Sequence, residues 1–134
     1  MAAESTSYNE TVTEIEDTFG IMPGYLEALP EQDLVNEWPN LKRFMFGAGE
    51  IDPKQRELIG LAVAGAIGCG FCRHFHKGAA QLHGATDEEL AELSFIASYT
   101  PRYSAMIQAQ DYDFNQFKQE VETIAGHLQE QASE

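Results

Sequence analysis

The sequence predicts an all-α protein, a compact bundle of about six or seven helices. Three observations predict it. Apolar residues recur at three- and four-residue spacing through most of the 134 residues. Helix start and stop residues punctuate that pattern. No stretch shows the strict alternation of a half-buried strand. The 43% hydrophobic content suffices for a packed core, and the length suits one domain. Ala62, Ala64, Gly65, Ala66, Ala79 and Ala80 crowd the inner segments, and such small residues let helix backbones approach closely. With no internal repeat and no long linker, residues 1–134 read as a single domain, with 1–8 and 129–134 expected to fray.

The elements follow in order. Val12, Ile15 and Phe19 mark a first helix that ends at Gly20. Two prolines and two glycines between Gly20 and Pro30 predict a turn and a short helix around Tyr25, Leu26 and Leu29. Leu34, Trp38, Leu41, Met45 and Phe46 define another amphipathic segment, interrupted or started at Pro39 and stopped near Gly47. Asp52-Pro53-Lys54-Gln55 is a strong helix start: Asp52 can cap, and Pro53 suits the first helical position. That helix is expected to run to about Ile67 and break at Gly68. The next should begin near Gly70 and end at His83-Gly84, with Gly84 as a left-handed stop. Thr86-Asp87-Glu88-Glu89 is a capping box for a helix reaching about Tyr99, and Thr100-Pro101 is read as opening another. The last helix carries Phe114, Phe117, Val121, Ile124 and Leu128 on one stripe, which reads as core or as an oligomer seam.

Composition narrows the function classes. Asp and Glu number 22 against 8 Lys and Arg, a formal net charge of −14. Nucleic acid binding needs a basic surface, and anionic membranes repel an acidic one, so neither is an expected partner. The first twenty residues lack the basic start and apolar run of an export signal. The apolar run from Leu58 to Ile67 is far too short to span a bilayer. A cytoplasmic protein is expected. In a reducing compartment, two neighbouring cysteines point to redox or metal work rather than to a structural staple.

Those cysteines lie in the most informative stretch. It reads Glu57, eleven residues, Cys69-Gly70-Phe71-Cys72, three residues, His76. On a helix starting near Gly70, Cys72 and His76 share a face, so the imidazole can take the Cys72 proton. Cys69 sits near the helix N-terminus, where unpaired backbone N–H groups stabilise a thiolate. One thiol is activated by either effect, and the other is close enough to trap its oxidised form. Glu57 stands apart: along a straight helix it lies roughly 16 Å from Gly68. It approaches His76 or Cys72 only if the second helix folds back, or if another subunit supplies the contact. By itself it reads as a solvated first-turn carboxylate.

Other residues have plainer readings. A zinc site from Cys69, Cys72, His76 and His83 has acceptable ligand types, but no second cysteine pair accompanies it. Two inert buried cysteines are a further alternative. His74 reads as a surface residue; His83 and His127 read as helix-end stabilisers. Trp38, Tyr25, Phe44 and Phe46 read as core or subunit contact before substrate pocket. Glu88, Glu89 and Glu92 read as a solvated face; Arg73 could steady a thiolate electrostatically, though helical geometry points it away from the Cys72 face.

The pattern Glu57-x11-Cys69-x2-Cys72-x3-His76 resembles the active-site signature of the alkylhydroperoxidase D-like branch of the carboxymuconolactone decarboxylase family. Phe19-Gly20-Ile21-Met22-Pro23, Arg56-Glu57-Leu58 and His76-x6-His83-Gly84-Ala85 are similar to that family as well. The resemblance implies an all-helical fold assembling into trimers or hexamers. It implies thiol-dependent peroxidase or disulfide-reductase activity on a small peroxide or disulfide. Cys72 would attack and Cys69 would condense with it, while His76 and Glu57 relay protons. An external dithiol, such as a lipoyl-bearing or thioredoxin-like protein, would restore the thiols, with no prosthetic group and no metal. One departure stands out: Phe71 replaces a histidine that precedes the second cysteine in well-described members. It removes a proton carrier and adds an apolar wall. Two other classes compete: a decarboxylase-type lyase suggested by the wider family, and a zinc-stabilised interaction module.

Overall fold

The computed structural model describes residues 7–133, and every regular element among them is helical. Seven helices follow one another: α1 (Tyr8–Phe19), α2 (Gly24–Glu27), α3 (Glu31–Phe46), α4 (Pro53–Ile67), α5 (Gly70–Leu82), α6 (Asp87–Ala109) and α7 (Phe114–Ala132). The chain divides into two compact units, residues 1–53 and 54–134.

The first unit is built on α1 and α3. Ser7 opens α1 with a reciprocal capping box: its Oγ accepts from the Glu10 N–H at 3.2 Å, and Glu10 accepts from the Ser7 N–H at 2.7 Å. These hydrogen bonds hold the Glu10 carboxyl below its ordinary pKa. Helix α1 stops at Gly20, whose positive φ of 77° lets its N–H reach the Glu16 carbonyl. The core is Ile15, Leu26, Leu34 and Trp38, edged by Val12, Phe19, Met22 and Leu41. Trp38 donates its ring N–H to Glu14 at 3.0 Å, and Lys42 pairs with the same carboxylate. Trp38 is thus a core residue, whereas Tyr25, Phe44 and Phe46 are exposed. Of the stretch expected to fray, Ser7 and Tyr8 are the cap and first residue of α1, and residues 1–6 lie outside the described residues.

Two prolines break the sequence-based expectation. Pro39 neither starts nor interrupts α3, and Pro101 lies inside one continuous α6 instead of opening a further helix. A proline removes one intrahelical N–H and crowds the preceding turn, but its fixed φ is itself helical. In α3, burial of Leu34 and Trp38 anchors the helix before the proline. In α6, a strong capping box starts the helix: Thr86 Oγ1 accepts from the Glu89 N–H at 3.1 Å, and Glu89 accepts from the Thr86 N–H at 2.9 Å.

In the second unit, Lys54 of α4 reaches Glu89 of α6 at 2.9 Å. That bond, with the capping N–H, lowers the Glu89 pKa. Glu89 is therefore partnered, not merely solvated. Helix α7 is capped by Asp113, which accepts from the Gln116 N–H at 2.7 Å, and it continues to Ala132 through the tail expected to fray. Its stripe from Phe114 to Leu128 is exposed, so it is not core within the chain. None of the described helices is long and apolar enough to cross a membrane.

Candidate active site

The site is made by the turn between α4 and α5. Gly68 takes a positive φ of 73°, its N–H reaches the Gly65 carbonyl, and the Cys69 N–H reaches the Ala64 carbonyl at 2.9 Å. This two-bond stop satisfies the last carbonyls of α4 and reverses the chain within two residues. Helix α5 then begins at once and runs back beside α4. The same device closes α5: Gly84 has φ 89°, and the Ala85 N–H reaches the Ala80 carbonyl at 2.9 Å.

That reversal answers the question left by Glu57. Its Oε2 lies 2.7 Å from Nδ1 of His76, within one chain. Glu57 is buried, at 7% exposure, so it is no solvated first-turn carboxylate. A carboxylate only accepts, so Nδ1 carries the shared proton. In the neutral ring, Nε2 is left as the acceptor nitrogen.

Gly60 completes this pair, and the sequence reading missed it. A Cβ built there would lie 2.6 Å from Cε1 and Nδ1 of His76 and 2.8 Å from Nε2. The imidazole therefore rests directly on the α4 backbone. A signal was present: a glycine in a helix interior costs about 1 kcal/mol relative to alanine, and Gly60 lies three residues after Glu57, on the same helical face.

The thiols form a second pair. Cys69 is the N-cap of α5, and its Sγ accepts the Cys72 backbone N–H at 3.2 Å. Both cysteines are free thiols; Cys72 is exposed and Cys69 partly buried. The Cys72 thiol donates to Cys69, and this is the largest influence holding the Cys69 pKa below its ordinary value. The capping N–H of Cys72 and the charge of Arg73 act in the same direction. The reciprocal effect raises Cys72, because losing its proton would break the bond and place two negative sulfurs side by side. The thiol favoured to ionise is thus the one at the helix N-terminus. Arg73, expected to steady a thiolate while pointing away from the Cys72 face, acts on Cys69.

The four residues of the signature form two bonded pairs, Glu57 with His76 and Cys69 with Cys72. Among the described residues, His76 hydrogen bonds to Glu57 and to neither sulfur. His83 caps the far end of α5. No three His, Cys, Asp or Glu side chains among the described residues gather as metal ligands, so the set of Cys69, Cys72, His76 and His83 is not assembled. His74 is exposed. Phe71 is 92% exposed and walls nothing within its own chain, because the first turn of α5 projects it outward.

The all-helical scaffold is that of the alkylhydroperoxidase D-like class of helical proteins. The chain belongs to the carboxymuconolactone decarboxylase family, whose model matches residues 32–112. Its fold is similar to the crystal structure of the alkylhydroperoxidase AhpD core from Rhodospirillum rubrum. The TM-score is 0.67 and the identity 29%, over 79% of this chain and 81% of that one. It is also 33% identical, over 58 residues, to uncharacterized protein 4 in the cox locus of Paracoccus denitrificans. That stretch is 43% of this chain and spans about half, 52%, of the relative.

Proposed function

We propose that this protein is a thiol–disulfide oxidoreductase with alkylhydroperoxidase-like activity. The observation that carries the reading is the sulfur pair: one thiol is held ready to ionise by the other and by a helix N-terminus. Likeness to the Rhodospirillum rubrum AhpD core supports it.

In the reaction, the Cys69 thiolate attacks the electrophile. With a hydroperoxide, an S–O bond forms and the O–O bond breaks. The alkoxide leaves as the alcohol after taking a proton, and Cys69 becomes a sulfenic acid. Cys72 then gives up its proton and attacks that sulfur; the S–S bond forms and hydroxide leaves as water. With a disulfide substrate, the same two attacks release two thiols. His76 receives the Cys72 proton on Nε2 through solvent, the two side chains not being hydrogen-bonded to each other, and Glu57 stabilises the imidazolium through Nδ1. An external dithiol, of lipoyl-bearing or thioredoxin-like type, returns two electrons and two protons. This order follows the lowered Cys69 and raised Cys72 pKa and is the opposite of the one that the family resemblance implies. The exposed apolar stripe of α7 supports assembly into a homo-oligomer.

The test is thiol titration of the reduced protein before and after tert-butyl hydroperoxide or a small aromatic disulfide, with mass spectrometry of the product. An intramolecular Cys69–Cys72 disulfide, and no turnover after Cys69→Ser or Cys72→Ser, is the expected result. Unchanged thiols under both oxidants would sink the proposal. A trapped adduct on Cys69 in the Cys72→Ser variant supports the order of attack. An adduct found only on Cys72, in the Cys69→Ser variant, reverses that order.

A further inference from the structure

Helices α4, α5 and α6 line an open groove of about 560 Å³. That size suits a small organic ligand. Its walls are mainly apolar, with Leu61, Leu90, Leu93 and Ala97 contributing. One edge is different: Arg73 and Lys77 line it together. They are one turn apart on α5 and share a face.

Charge makes this edge unusual. The chain holds 22 acidic residues and 8 basic ones. Acidic partners are therefore abundant, and Lys42 and Lys54 have each taken one. Arg73 and Lys77 are both exposed, and neither is ion-paired among the described residues. An apolar hollow with two unneutralised cations at one rim is complementary to an apolar body that ends in an anion. Arg73 also offers a planar fork that matches a carboxylate.

We propose that this groove binds a carboxylate-bearing amphiphile, such as a medium-chain fatty acid, with its carboxylate at Arg73 and Lys77 and its apolar chain between α4 and α6. The cations continue the line of the thiol site. Cys69, Arg73 and Lys77 follow one another at four-residue steps, so Arg73 lies roughly 6 Å, and Lys77 roughly 12 Å, along the axis from Cys69. The Arg73 charge already reaches Cys69. An acid seated here lies within one or two helical turns of the sulfurs. Its use as a substrate, in the form of a peroxide or disulfide bearing a carboxylate, rests on the dithiol reading above. Binding itself does not.

The experiment is calorimetric titration of the reduced full chain with decanoate and with decanol. Decanoate should bind saturably and decanol at least about tenfold more weakly, the factor expected from losing charge-assisted hydrogen bonds. Replacing both cations, Arg73→Gln with Lys77→Gln, should weaken decanoate by about tenfold or more without affecting decanol. Both side chains are exposed, so this variant should keep the wild-type circular dichroism spectrum. Ala97→Trp, which fills the hollow, should abolish binding of both ligands. The proposal fails if decanoate does not saturate, if decanol binds equally well, or if the charge variant binds decanoate undiminished. It also fails if sedimentation shows an assembled protein that binds no decanoate, because a second copy then occupies the groove. None of these failures touches the thiol reading, since no oxidation is measured.

Discussion

Glu57 and His76, nineteen residues apart on α4 and α5, meet at 2.7 Å through Oε2 and Nδ1. The contact orients the ring and selects which nitrogen is free. Glu57→Gln keeps the shape but not the charge, so it no longer stabilises an imidazolium. Turnover with peroxide or disulfide should fall by on the order of a hundredfold. Steady-state rates, beside circular dichroism to show retained helix, check this.

Gly60→Ala should separate stability from activity. Alanine in a helix interior favours the helix by about 1 kcal/mol. Yet the new methyl would meet the His76 ring at 2.6 Å, and the ring is tied to Glu57. The expected outcome is a melting temperature unchanged or raised, with turnover lowered. The bulkier Gly60→Val should lower it further. A variant with full activity would mean that the ring position is not critical.

The two thiols should alkylate at different pH. Cys69 is held below the ordinary cysteine value and Cys72 above it. As pH rises, iodoacetamide should therefore label Cys69 first, with a midpoint below that of an ordinary cysteine. Cys72→Ala removes the strongest influence on Cys69, so the Cys69 midpoint should move upward. Peptide mapping of the label at each pH measures both.

The first unit should lose stability on acidification through Glu14. Its hydrogen bond to Lys42, aided by Trp38, lowers its pKa in the folded protein. A depressed carboxyl contributes stability above its unfolded value of about 4.3, and the contribution disappears as pH falls through the lower folded value. Trp38 is the single tryptophan, so its emission reports this titration. Glu14→Gln should flatten the acid limb of the curve. The effect should be small, because both partners are partly exposed.

Truncation of the same core should cost far more. Ile15 and Leu34 are fully buried, so Ile15→Ala or Leu34→Ala should destabilise by about 2–5 kcal/mol. Urea unfolding followed through Trp38 would measure it.

What the sequence determined by itself was local. Gly20, Gly68 and Gly84 are helix stops because only glycine takes a positive φ without strain, and that rule needs no knowledge of the rest of the chain. The capping box at Thr86 and Glu89 and the spacing of Cys69, Cys72 and His76 are equally short-range. Pro39 and Pro101 misled the reading because proline weakens a helix locally, while packing and capping elsewhere in each helix outweigh it. Tertiary structure alone decided what lies between helices. It brought Glu57 to His76, placed Gly60 under the ring, left the α7 stripe uncovered and assembled the cation-rimmed hollow. Each depends on how two or more helices fold back on one another. That arrangement comes from many weak contacts summed over distant residues, and no short window of sequence contains them.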